Sequence, residues 1–313
     1  MSRTVALVLA VNLFVIGLGV VTLRQSRDQY LRNAQTQGHN LTQTLVFSIA
    51  GVFDAADVAL LSVVDEVQRQ LRQGGVAPDT LNAFMIAQHT RLPVLDSIRM
   101  ADGMGDILYG TGVERGSNKS IAQREYFMKL RDTPQAGLEI SKPVLGLISG
   151  KWVVILARRV NGPDGSFAGV VYCAVPLEKV RNMLSTIDVG ARGRITMRDE
   201  SLGLILRHPQ QLPVSTEIGH KPASPEMQER IGRGMVSDSY YAERTSDGTP
   251  RLVSYSKVGH YPLYISIALL PDEILTRWYR ELMQIMALVV LFMAVTSIMS
   301  RMIYLRLRRQ VQA

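Results

Sequence analysis

Reactive side chains in catalytic arrangements are scarce in this sequence. Cys173 is the single cysteine among 313 residues, which excludes an internal disulfide. Set in an apolar run, it reads as a small buried hydrophobe. The five histidines, His39, His89, His208, His220 and His260, lack the spacing of convergent metal ligands. No metal and no cofactor is expected. There is no Gly-x-Ser-x-Gly elbow, no Gly-x-x-x-x-Gly-Lys-[Ser/Thr] phosphate loop, no Gly-Gly-Asp-Glu-Phe cyclase signature and no kinase phosphoacceptor or ATP-binding region. The chain is therefore read as non-enzymatic. The 13 residues after Ser300 can begin a helix but cannot hold an output domain, so any such domain would lie beyond residue 313 or in a partner protein. Aromatic residues make up 6% against 47% hydrophobic residues overall, a balance that fits a globular domain with added membrane segments.

Residues 5–23 carry no charge and one strongly polar side chain, Asn12. At ~1.5 Å per residue the run just spans the ~30 Å hydrocarbon core. Residues 282–300 form a second run, broken only by Gln284, Thr296 and Ser297. The first run is longer than a signal-peptide core and no small-x-small cleavage site follows, so it reads as a signal anchor. Arg301, Arg306, Arg308 and Arg309 mark the cytoplasmic side after the second run. Two spans then return the N-terminus, with Arg3, to the cytoplasm. Arg24 and Arg27 stand on the opposite side, which a long translocated loop tolerates. The net charge is +8 with a pI of 9.7. Setting aside these five cytoplasmic arginines from 35 basic residues leaves 30, against 27 acidic ones. The loop is near neutral, the basic excess sits where it meets anionic lipid, and nucleic acid is not an expected partner.

Between the spans, residues 25–73 repeat apolar positions at helical spacing (Leu41, Leu45, Ile49, Val52, Ala56, Ala59, Val63, Val67) and end at Gly74-Gly75. Gly38 and Gly51 weaken this helix. A short helix over residues 80–90 and strands over 94–100 and 106–109 follow, then a polar loop over 110–119. The strand ending Ala-Val-Pro176-Leu-Glu178 is echoed by Ala-Leu-Leu-Pro271-Asp-Glu273, and residues 100–108 are echoed by 197–206. Two α/β units therefore stand in tandem. Each Pro-x-Glu opens a helix, because proline suits the first turn and glutamate meets the positive end of the dipole. Pro271 leads through Trp278 and Tyr279, placed as interface anchors, into the second span.

The densest patterning runs from residue 120 to 176: Ser-Ile-Ala-Gln-Arg-Glu-Tyr-Phe at 120–127, an edge strand at 138–143, a long strand at 150–159, a Pro-Asp-Gly turn and a return strand at 169–176. This order resembles the membrane-distal half of a double Cache (PDC-type) sensor, as found in bacterial diguanylate cyclases and sensor histidine kinases. The resemblance covers about residues 24–279. It implies an α+β fold in which a long N-terminal helix supports two stacked PDC/Cache α/β subdomains with antiparallel sheets, bracketed by two transmembrane helices. The expected divisions are 1–23 (anchor), 24–75 (support helix), 76–188 (distal subdomain), 189–271 (proximal subdomain) and 272–313 (exit helix, second span and basic tail). The resemblance also implies a two-span protein of the bacterial inner membrane, with a periplasmic sensor that dimerises and signals through its exit helix to a cytoplasmic output domain or partner protein.

Candidate ligand-binding residues follow from side-chain chemistry. Arg124 offers a planar fork for a carboxylate or phosphate, and Tyr126 and Phe127 supply aromatic walls. Lys142, Trp152 and Arg158 lie on neighbouring strands. Arg158 and Arg159 must face opposite ways, so at most one enters a pocket. Double Cache sensors for amino acids place an Asp on the return strand to hold the ligand's amine; residues 169–175 here have no carboxylate. A small organic anion is the expected ligand. The alternatives are a ligand-free structural or partner-binding membrane protein, and the sensor part of a longer cyclase or kinase. In the sensor family the 110–119 loop borders the ligand.

Overall fold

The computed structural model describes residues 2–311 except 115, 117, 211–217, 220–222, 244, 246 and 247, with backbone alone at residues 2–5, 304 and 306–311. His220 and two positions of the 110–119 loop lie outside the described residues.

Helix α1 (Ser2–Arg72) runs unbroken from the first apolar stretch to the far end of the molecule. Its buried stripe is wider than the sequence pattern suggested: Val46, Phe53, Leu60 and Val64 join Leu45, Ile49, Ala56, Ala59, Val63 and Val67. A wide stripe is what a helix lying along a sheet requires, and each fully buried Leu, Ile or Phe contributes about 1.5–3 kcal/mol. Gly74 and Gly75 stop the helix at φ +107° and +143°, and the Gly75 N–H donates to Gln70 O. The two internal glycines differ. Gly51 faces open space, whereas a Cβ at Gly38 would stand 2.9 Å from Ser254 Oγ. Gly38 is a close approach of helix to sheet, not a weak point.

Two antiparallel sheets stack along α1. The distal sheet comprises β1 (Ser97–Asp102), β2 (Ile107–Gly110), β3 (Glu139–Ile140), β4 (Val144–Leu145), β5 (Trp152–Asn161) and β6 (Phe167–Pro176), ordered β2-β1-β6-β5-β3 with β4 also on β5. Helices α2 (Pro78–Arg91) and α3 (Glu125–Asp132) flank it, and α4 (Leu177–Leu184) leads onward. The proximal sheet comprises β7 (Arg194–Asp199), β8 (Leu204–His208), β9 (Ser237–Ala242), β10 (Arg251–Lys257) and β11 (Leu263–Leu269), ordered β8-β7-β11-β10-β9. The order is the same in both, and each first hairpin slips register at its echoed methionine, between Met100 and Ala101 and between Met197 and Arg198. The tandem repeat is thus structural. The proximal unit also has a helix, α5 (Pro225–Gly232), between β8 and β9, where the distal unit has α3.

Pro176 and Pro271 play different parts. Pro176 ends β6 and is the N-cap of α4, whereas Pro271 is inside the first turn of α6 (Pro271–Ile274). The exit helix is not continuous: α6 stops at Ile274, and α7 (Thr276–Val311) begins after Leu275. The stretches 6–72 and 276–303 each contain a window long and apolar enough to cross a membrane. Where α1 and α7 leave the sheets they are clasped. Ser26 Oγ and Tyr30 OH donate to Glu281 at 2.9 and 2.5 Å, and Trp278 Nε1 donates to Leu23 O at 3.1 Å.

Candidate functional site

Strand alternation sorts the distal sheet into two faces. Val154, Leu156, Val171, Cys173 and Val175 pack toward α1. Val153, Ile155, Ala157, Val170, Tyr172 and Ala174 face α3. On that second face a cavity of about 20 Å³ is enclosed by Arg99, Arg124, Tyr126, Tyr172, Val153, Ile155 and the 144–149 hairpin. It has room for about one water molecule.

Two cations point at it. Arg99, 5% exposed, comes from β1 opposite Tyr172 in register, and its Nε donates to Thr111 O at 2.9 Å. Arg124, the N-cap residue of α3, donates from Nη2 to Leu145 O at 3.1 Å. That bond ties the α3 end of the site to the hairpin over it. Among the described lining residues there is no carboxylate. Tyr126 and Tyr172 lie with ring centroids 6.3 Å apart. Burial pushes the Tyr172 hydroxyl up to about 12, against the opposing pull of Arg99 and Arg124, and burial raises Tyr126 further. Both hydroxyls are therefore neutral donors at neutral pH and supply no negative charge.

Of the residues expected from sequence, Arg124 and Tyr126 meet at this cavity. Phe127 is buried behind them, edge-on to Phe167 with centroids 5.5 Å apart. Trp152 packs on the α1 side, and Lys142 is exposed away from the lining. Arg158 faces α1 and holds Asp57 with two bonds of 2.5 and 2.8 Å. Arg159 faces the other way, but it closes the end of α3 by donating to Leu130 O and Arg131 O and lies 4.8 Å from the Phe167 centroid. The sequence reading passed over Arg99 and Tyr172. Arg99 did carry a signal, a lone cation in the apolar strand Ser-Ile-Arg-Met-Ala. The 110–119 loop reaches the site through the Thr111 carbonyl. No group of three His, Cys, Asp or Glu side chains suited to a metal occurs among the described residues. A larger void of about 450 Å³ lies between the apolar stretches of α1 and α7, and its described lining is entirely aliphatic and aromatic.

The profile of the Cache domain family, dCache_1, matches residues 22–278. The chain belongs to the double Cache family. Cache domains are ligand-binding sensor regions and not catalytic ones. Among solved structures, the extracellular domain assigned to a histidine kinase, rpHK1S-Z16, is similar at 25% identity and a TM-score of 0.68, covering 79% of this chain and 99% of that one. The ligand-binding domain of the Pseudomonas aeruginosa PAO1 amino acid chemoreceptor PctB, in complex with L-Arg, has the same fold at 14% identity and a TM-score of 0.60, covering 78% and 98%. So does the sensory domain of the Campylobacter jejuni chemoreceptor Tlp3 with isoleucine bound, at 12% identity and a TM-score of 0.57, covering 79% and 97%. There is no significant match among curated proteins. Within this Cache domain, the return strand β6 turns Tyr172 and Ala174 toward the distal cavity, and neither can balance a ligand ammonium.

Proposed function

We propose that this Cache protein is a two-span receptor of a bacterial inner membrane. Its distal subdomain, residues 76–188, binds a small organic anion outside the cytoplasm. The reading is carried by one observation: Arg99 and Arg124 face a single cavity that has two neutral hydroxyls and no carboxylate among its described lining residues. A bidentate guanidinium–carboxylate bond is the natural complement of that surface. The cavity holds about one water as it stands, so ligand entry requires the 144–149 hairpin to swing outward. Ligand binding replaces the Arg124–Leu145 bond and shifts the hairpin's equilibrium. The proximal subdomain, residues 189–271, passes the change from β11 into α6 and α7, and so to a cytoplasmic output domain or partner.

Dimerisation through α1 agrees with Phe47, Val58 and Leu61, exposed at 74%, 63% and 40%. They fall on one stripe at ~100° per residue. A second reading, a partner-binding Cache fold without a ligand, is favoured by the small distal cavity.

The deciding measurement is thermal-shift screening of the full chain in nanodiscs against small carboxylates, followed by calorimetry on the best of them. Arg124→Ala is expected to weaken that compound about 10- to 150-fold, the equivalent of losing a charge-assisted bond of about 1.5–3 kcal/mol. Equal binding by wild type and variant would refute the assignment, and a screen with no stabilising compound favours the second reading.

A further inference from the structure

The floor of the distal cavity carries hydroxyls that the fold leaves unpaired. Ser97, 0% exposed, opens β1 opposite Ala174 of β6, a residue of the cavity lining. Strand alternation puts Ser97 on the same face as Arg99 and Ala101, while Ile98 and Met100 pack toward α1. Its Oγ is buried and has no hydrogen-bond partner among the described residues. Thr111 Oγ1 is likewise buried and unpaired, on the residue whose carbonyl receives Arg99 Nε. A Cβ at Gly112 would stand 3.7 Å from both Arg99 Nη2 and Ile148 Cγ2, so this segment lies between the guanidinium and the 144–149 hairpin. We propose that the distal ligand is a small hydroxycarboxylate, its carboxylate held by Arg99 and Arg124 and its hydroxyl by Ser97, with Thr111 beside it.

This inference rests on the reading of the cavity as an anion site and adds what the anion must carry. A buried hydroxyl loses its hydration and regains nothing unless it is bonded, so nearly all buried polar groups are paired. Two unpaired ones beside Arg99 form a surface that a ligand completes. A ligand hydroxyl can accept a proton from one and donate to the other, since serine and threonine offer both a donor and acceptors. A second carboxylate would be buried there against neutral groups, with the guanidinium groups already engaged by the first. The carboxylate that precedes Ser97, Asp96, is paired with Lys151 at 3.0 Å. Ser97 and Arg99 stand two residues apart on one strand face, about 7 Å between Cα atoms. A hydroxyl on the second or third carbon of an acid bridges that distance as both side chains reach inward.

The test is calorimetry on the full chain in nanodiscs, comparing lactate with propionate and 3-hydroxybutyrate with butyrate. The hydroxylated member of at least one pair should bind about tenfold or more tightly. Ser97→Ala should bring that ratio to within about twofold of unity, and Thr111→Val, at a half-buried position, should lower it as well. Without any acid, Ser97→Ala should withstand chemical denaturation as well as the wild type or better, because it removes an unpaired hydroxyl from the core. If the wild type binds both members of each pair equally while Arg124→Ala weakens both, the anion site stands and hydroxyl recognition is refuted. If no acid binds in an Arg124-dependent way, the anion reading fails and this one with it. A preference that survives both hydroxyl variants, or a Ser97→Ala protein that loses stability with its ratio unchanged, would show a structural hydroxyl and overturn the proposal.

Discussion

Arg158 and Arg124 look alike in the sequence, each a cation next to strands rich in β-branched residues, and their surroundings separate them. Arg158 is 22% exposed and bonds Asp57 of α1 through both Nε and Nη2. Removing one partner of a partly buried pair leaves the other desolvated, so Arg158→Met should lower stability by about 1–3 kcal/mol and leave affinity for the distal ligand unchanged. Chemical denaturation and calorimetry on the same variant check both halves, and a loss of affinity would move Arg158 into the site. The two cavity tyrosines add a pH signature. The Tyr172 hydroxyl is held at about 12 by burial, against an unfolded value near 10, so the folded state keeps its proton where the unfolded state loses it. Tyr126 is raised in the same sense. Their stabilising effect is complete below pH ~10 and falls above it, at about 1.4 kcal/mol per pH unit for each tyrosine. Stability measured from pH 9 to 12 should decline over that window, less steeply in Tyr172→Phe.

At the scale of elements, the exit from the proximal sheet is short and stiff. β11 ends at Leu269, α6 opens at Pro271, and Glu273 accepts from the Arg192 N–H at 3.0 Å, pinning α6 to the loop before β7. The Glu281 clasp then holds α7 against α1. A movement of β11 therefore has little slack before it reaches α7. Inserting Gly-Gly between Leu270 and Pro271 introduces that slack. It should leave distal affinity within about twofold and abolish ligand-dependent crosslinking changes between cysteines placed on α7 of two copies. Unaltered crosslinking in the insertion variant would argue against transmission along this path.

Over the whole molecule, α1 is the shared support. Asp57 reaches the distal sheet through Arg158, and one turn away Asp54 accepts from Tyr261 OH at the proximal β10–β11 turn, 2.5 Å. One helix thus ties both subdomains to an apolar stretch long enough to cross a membrane. The proposed orientation puts the sheets outside the cytoplasm and both termini inside. Asn118→Cys should react with a membrane-impermeant maleimide on intact cells, and Gln310→Cys only after lysis. Cys173 will not confuse the result, because it is fully buried and its thiol is pushed up to about 12 by that burial. Labelling in the reverse pattern would invert the topology.

Periodicity and punctuation were enough to read the two apolar runs, the length of α1, its stop at Gly74-Gly75 and the tandem order of the α/β units. These are properties of near neighbours along the chain: hydrophobic spacing, glycine at positive φ, proline at helix starts. The resemblance to double Cache sensors rested on the same local order, and the family match agrees with it. Which face of each strand meets which layer was not local. Alternation said that Arg158 and Arg159 oppose each other, but only packing against α1 decided that Arg158 belongs to Asp57. Arg99 joins Arg124 across 25 positions of chain because β1 lies beside β6 and α3 packs on β5 and β6. In the proximal sheet, Arg194, Arg198, Arg207 and Arg251 are gathered from β7, β8 and β10, three strands of a sheet ordered β8-β7-β11-β10-β9, which is not the order of the chain. Such convergence arises from sheet pairing at long sequence separation, and no window of sequence contains it.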